Sequence, residues 1–196
     1  MRPAVREAIF LSASVPDTRR ASRYWTTANI IAIQAAVTAL ASVVLGRRHL
    51  IWGGHPSITP MILVAANAKR IDYGEWVTLY QSRYYRDDFP EENRHFRNVV
   101  YTRKILNDPA RSQAILRQRM FADNQFSSAI FIGGMEGVEH EYELLRSSAQ
   151  PPLLVPVAST GGAAQLLYDR YGGDSRLATD LTYVSLFQDL LGLSAD

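Results

Sequence analysis

Ser128 to Gly137 reads SAIFIGGMEG, and these ten residues decide the fold. The run Ser128 to Ile132 has the length and apolar character of a buried strand. Gly133 to Gly137 then turns the chain, and the polar segment that follows predicts a helix through about Arg146. A buried strand that turns through glycine into a helix is one half of a βαβ unit, from which parallel sheets are built.

The same alternation extends in both directions. Upstream, Ala8 to Ser12 (AIFLS), Leu50 to Trp52, Trp76 to Tyr80 (WVTLY) and Asn98 to Thr102 (NVVYT) read as strands. Ala28 to Gly46 reads as the helix between the first two. Thr59 and Pro60 predict an N-cap and first position for a helix to about Ala68, and Asp108 and Pro109 do the same for one to about Phe121. Downstream, Pro151 to Val157 (PPLLVPV) is a buried strand with proline near each end. Ala163 to Tyr171 and Leu177 to Leu193 are helical segments. The expected fold class is α/β: a Rossmann-like layered sheet, mostly parallel, with helices on both faces. A length of 196 residues, 47% of them apolar, suits a single domain over residues 1–196.

Charge and composition narrow the function classes. Net charge is +2, so the chain lacks the basic excess of a dedicated nucleic-acid binder, and a nucleic-acid partner is not expected. There is no cysteine, which excludes disulfides, thiolate metal sites and a cysteine nucleophile, and fits a cytoplasmic location. Arg2, Arg6 and Glu7 precede an apolar run, Ala8 to Leu11, too short for the core of a secretory signal. Ala28 to Gly46 approaches the length of a membrane span, but Asn29, Gln34, Thr38 and Ser42 interrupt it, so a helix buried against the sheet is expected instead. HExxH, CxxC and GxSxG patterns, the GK[ST] ending of a P-loop and the GxGxxG fingerprint are all missing. No metal or cofactor is expected.

In a doubly wound sheet, the loops after parallel strands gather along one edge, where a reversal of strand order opens a crevice. Four such loops carry small residues: Ser12 to Ser14, Gly53 to Pro56 (GGHP), Gly133 to Gly137 (GGMEG) and Ser159 to Gly162 (STGG). Glycines allow close backbone approach, and helix N-terminal amides bind phosphate or carboxylate oxygens. The candidate ligand residues are therefore Ser12, Ser14, Gly53, Gly54, His55, Gly133, Gly134, Gly137, Thr160 and Gly161. For Ser159 to Gly162, simple helix capping is the preferred reading. His55 can donate, accept or become charged near neutral pH.

Gly133 to Glu143 also carries Glu136, Glu139, Glu141 and Glu143. Helical spacing puts Glu136, Glu139 and Glu143 near one face and Glu141 with Gly137 on another, so one or two can face a ligand. Such a carboxylate would bond ribose hydroxyls or act on a glycosidic bond. Among the basic residues between Arg83 and Arg119, interspersed with Asp87, Asp88, Glu91 and Glu92, Arg83 and Arg103 lie just beyond strands and are the candidates to meet a phosphate.

These motifs resemble the SLOG superfamily, named for its Smf/DprA and LOG groups. The resemblance rests on the Ser12 to Ser14 turn, Gly53-Gly54-His55-Pro56, and Gly133-Gly134-Met135-Glu136-Gly137 with Glu141 downstream, and spans most of Ala8 to Tyr171. LOG-type phosphoribohydrolases carry PGGxGTxxE, whose glycines serve phosphate binding and whose glutamate serves catalysis; Gly133, Gly134, Gly137 and Glu141 are the nearest matches. Ile132 replaces the proline, an extra residue precedes Gly137, and Val138 replaces the threonine. The pattern is closer to SLOG domains of prokaryotic conflict and antiphage systems. That resemblance implies a sensor of a nucleotide or NAD-derived small molecule, and the apolar faces of Ala28 to Leu45 and Leu181 to Leu193 suit a homo-oligomer interface as well as an intramolecular core. The alternative is a LOG-like hydrolase of a nucleotide N-glycosidic bond with Glu141 as its catalytic residue, and a DprA-like nucleic-acid binder ranks last.

Overall fold

Residues with buried side chains on alternating sides of each extended run produce six parallel strands in one sheet among the described residues. The structure is a computed structural model and describes residues 8–19, 22–69 and 73–193. Arg2, Arg6 and Glu7 lie outside that range.

The strands are β1 (Ala8–Ser14), β2 (His49–Trp52), β3 (Val77–Ser82), β4 (Asn98–Thr102), β5 (Phe126–Gly133) and β6 (Leu153–Val157), in the order β4-β3-β2-β1-β5-β6. All five pairings are parallel. The chain moves outward from β1 to β4, then crosses back to place β5 on the other side of β1. Strand order therefore reverses between β1 and β5, where Ser12 lies opposite Phe131 and Ser14 opposite Gly133. An open α/β sheet forms its ligand crevice at such a reversal.

The helices are α1 (Ser22–Trp25), α2 (Ile30–Val44), α3 (Thr59–Ala68), α4 (Tyr73–Trp76), α5 (Pro109–Asp123), α6 (Glu136–Arg146), α7 (Gly162–Tyr171), α8 (Arg176–Thr179) and α9 (Tyr183–Leu191). Ile9, Leu11, Leu50, Trp52, Ile130 and Ile132 pack with α2, α3 and α9 on one face. Phe10, Ile51, Tyr80, Ala129 and Phe131 pack on the other with Leu116 and Met120 of α5, Val138 and Tyr142 of α6, and Leu167 of α7. Burial on both faces explains why the central strands read as continuous apolar runs.

Local chemistry sets the boundaries. Asp108 caps α5 by accepting from the Arg111 amide at 2.8 Å, with Pro109 at the first helical position. Thr59 is the first residue of α3 and not its cap; its hydroxyl donates to the His55 carbonyl at 3.2 Å. Trp76, expected to open the third strand, ends α4, and β3 runs from Val77 to Ser82. The segment Leu177 to Leu193 is broken because the Asp180 carboxylate accepts from the Thr182 amide at 2.7 Å, a local turn that competes with helix. No helix among the described residues is long and apolar enough to cross a membrane.

Candidate functional site

A crevice of about 500 Å³ opens at the carboxyl ends of β1, β2 and β5. Ser12, Ala13 and Ser14 form its floor, Gly53 to His55 one wall, and Met135 to Val138 with Glu141 the opposite wall. Gln113, Leu116 and Arg117 close it from α5. Their spacing of three and four residues places them on one helical face, alongside the core residue Met120.

Glu141 is the best-held side chain in the crevice. The Ser12 hydroxyl donates to its Oε2 at 2.5 Å, and Arg117 Nε donates to its Oε1 at 3.0 Å. The Arg117 and Glu141 side chains are only 16% and 14% exposed. Three elements thus converge on one carboxylate: β1 supplies the hydroxyl, α5 the guanidinium and α6 the acid. Gly137, one turn before Glu141, makes room for this arrangement, because a Cβ there would stand 3.2 Å from Arg117 Nη2. Among the described residues no protein acceptor meets the Arg117 Nη groups.

The glycine pair before α6 works in a different way from a phosphate cradle. The Gly133 amide donates to the Thr160 hydroxyl at 2.8 Å, and the Gly134 amide donates to the Ser14 carbonyl at 2.8 Å. Both glycines have positive φ, 57° and 85°, and a Cβ on Gly134 would collide with Val138. Their role is the turn. After them the first turn of α6 lines the crevice, and no side chain caps the helix there. That N-terminus carries the partial positive charge of the helix dipole. At α2, by contrast, Asn29 accepts from the Ala32 amide at 3.0 Å and its own amide donates to the Thr160 carbonyl. The position used by the GxGxxG fingerprint is therefore occupied by protein.

The other candidates are placed as follows. Ser12 and Ser14 are buried and line the crevice, with Gly53, Gly54, His55 and Gly137. His55 Nδ1 lies 2.7 Å from the Ser57 hydroxyl, which also accepts from the Val15 amide at 3.3 Å. Thr160 is fully buried and does not line the crevice; besides accepting from Gly133 it donates to the Val157 carbonyl at 2.6 Å. Gly161 packs directly on the Thr27 carbonyl. These two residues brace the turn from behind.

Arg83 and Arg103 lie away from the crevice. Both are exposed beside the outer strands β3 and β4, and Arg83 sits 5.9 Å from the Tyr101 ring centre. The arginine that enters is Arg117. Its signal in the sequence is a position on the same helical face as Gln113 and Met120, in a helix whose N-terminal half returns from the carboxyl edge of the sheet. Of the glutamates, Glu136 and Glu141 line the crevice. Glu139 instead accepts from Tyr24 and from Arg23, at 2.7 Å, and Glu143 pairs with Arg146 at 3.1 Å and with Tyr171. The Tyr171 hydroxyl, followed by Arg146, lowers the Glu143 carboxyl. Burial, reinforced by the bond to Glu139, pushes the Tyr24 phenol up to about 12.

Among the described residues, no group of three or more His, Cys, Asp or Glu is placed to hold a metal ion. The crevice instead brings donors, Arg117 and the α6 N-terminus, side by side with acceptors, Glu136 and the paired Glu141. That arrangement is complementary to a molecule carrying both an anionic group and hydroxyls.

No curated protein matches the chain. The model of the SLOG cluster3 family matches residues 23–191, from α1 through α9, and the chain belongs to that family.

Proposed function

We propose that the crevice binds a nucleotide or NAD-derived small molecule and that the domain works as its sensor in a prokaryotic defence or signalling system. Membership of a SLOG family supports a nucleotide-related function. The observation that carries the sensor reading is the state of Glu141: both of its oxygens are engaged, one by Ser12 and one by Arg117. Each oxygen keeps a second lone pair, but a carboxylate clamped from two sides is a fixed group that sets the geometry of its neighbours. Here it orients the Arg117 guanidinium toward the crevice, where an anion would add to the α6 N-terminus.

The test is a thermal-shift and calorimetric titration with adenosine monophosphate, NAD and ADP-ribose. A ligand selective for the native state raises the unfolding temperature in proportion to its excess over Kd. The reading requires a rise with at least one of the three, and its loss in Arg117→Met. No shift at saturating concentration with any of them would defeat it.

A second reading follows from Glu141 reaching the crevice at all. In a LOG-like hydrolase Glu141 would assist departure of the base from the anomeric carbon as water enters. Release of free base from a nucleoside monophosphate or NAD, abolished by Glu141→Gln, would establish that reading. Persistent binding without turnover would leave the sensor. Oligomer formation belongs to the same proposal: Ile31 on α2 and Val184 on α9 are exposed apolar side chains, available to a second copy. Sedimentation with and without ligand measures it.

A further inference from the structure

The crevice has a side lobe. A second cavity of about 280 Å³ shares the Gly53 to His55 wall and the α5 residues Gln113 and Leu116, and extends toward the end of β3. Its far side is built from Gln81, Ser82, Tyr85, Asp88 and Phe89. Two of these are aromatic rings, and one is a carboxylate on an exposed residue.

Gln81 is the unusual residue. It is only 6% exposed, and its backbone carbonyl accepts from the Thr102 hydroxyl. Its side-chain amide has no hydrogen-bond partner among the described residues. That amide rests against Gly54, where any Cβ would collide with it, so the positive φ of 65° at Gly54 and the loss of a side chain there both serve to hold it. Among the described residues the wholly buried polar atoms without a partner belong to Trp52 and Asn93, so the Gln81 amide reaches the surface of the lobe and can bond a partner that arrives there. The wall it shares with the crevice places that partner within reach of a ligand already in the crevice.

We infer that the side lobe is a nucleobase subsite in which Gln81 reads the hydrogen-bonding edge of the base. A primary amide offers a donor and an acceptor side by side, the pattern that pairs with the edge of a purine. Tyr85 and Phe89 supply aromatic surface for a flat heterocycle. Asp88 accepts and does not donate, so it selects an exocyclic amine over a carbonyl oxygen at the same ring position. The predicted preference is for adenine over hypoxanthine. This rests on the crevice holding the phosphate and ribose of the same molecule.

The experiment is calorimetry with ribose 5-phosphate, adenosine monophosphate and inosine monophosphate on the intact protein. Adenosine monophosphate is expected to bind about tenfold or more tightly than ribose 5-phosphate. Gln81→Leu, close in volume, should bring adenosine monophosphate down to the ribose 5-phosphate level and leave ribose 5-phosphate unchanged. Asp88→Asn, at an exposed position, should erase the preference over inosine monophosphate, and it decides the matter if Gln81→Leu does not fold. Equal binding of adenosine monophosphate and ribose 5-phosphate by the native protein would overturn the subsite and leave the crevice reading intact. An unaltered adenosine monophosphate affinity in Gln81→Leu, or an unaltered preference in Asp88→Asn, would likewise overturn it. Binding of none of the three overturns the subsite, and the crevice reading then stands or falls on NAD and ADP-ribose.

Discussion

Arg117 and Glu141 approach within 3.0 Å from two different helices, and each is largely shielded from water. A shielded pair of this kind is costly to break from one side, because the survivor keeps its burial and loses its partner. Arg117→Met is expected to lower unfolding stability by about 1–3 kcal/mol. Arg117→Met combined with Glu141→Leu should cost less than the sum of the two single changes. Urea denaturation of the four proteins in a double-mutant cycle measures the coupling.

Gly137 poses a trade between stability and binding. Gly137 is the second residue of α6, where Gly to Ala restricts the unfolded chain and stabilises by up to about 0.5–1 kcal/mol. The added Cβ would meet Arg117 Nη2 at 3.2 Å, a contact the guanidinium relieves only by shifting. Gly137→Ala is therefore expected to raise the unfolding temperature while weakening the nucleotide-induced shift. A variant more stable and equally responsive to ligand would show that the guanidinium position is immaterial.

Gly161 belongs to the turn's support and should behave in the opposite way. Its φ of 70° and its contact with the Thr27 carbonyl leave no room for a side chain. Gly161→Ala is expected to destabilise by more than about 1 kcal/mol, from backbone strain and collision together. Calorimetric unfolding reads the loss directly.

Alkaline pH provides a separate test at Tyr24. Burial, with the bond to Glu139, pushes its phenol up to about 12 from an ordinary value of 10.0. A raised pKa in an acid means that the native state holds its proton longer than the unfolded state does. The contribution is complete below the unfolded value and declines as pH rises from 10 toward 12. Stability measured across that window should fall less steeply in Tyr24→Phe, which has no proton to lose.

Much of this architecture is legible in the chain because burial on both faces leaves plain runs. Ser128 to Ile132, buried throughout, needs no neighbour to be read as a strand, and Asp108-Pro109 announces a helix start through local chemistry alone. Gly137 and Glu141 share a helical face by spacing, and the structure places both in the crevice. What escapes is whatever depends on distant partners. Nothing local distinguishes Arg117 from Arg83 or Arg103; the distinction comes from which helix returns across the carboxyl edge. The amides of Gly133 and Gly134 carry the same ambiguity, since their acceptors, Thr160 and Ser14, lie in other loops. The break at Asp180 was readable in principle, from an Asp two residues before a Thr, but the apolar residues on either side outweigh it in pattern.

The bond from Ser12 to Glu141 joins residues 129 positions apart. A crevice closed across such a separation is a late product of folding: it cannot exist on a nascent chain that has made β1 but has yet to emit α6. Ligand can therefore neither template the early sheet nor rescue a product shortened before α6. Occupancy marks a chain that has carried β1 through to α6.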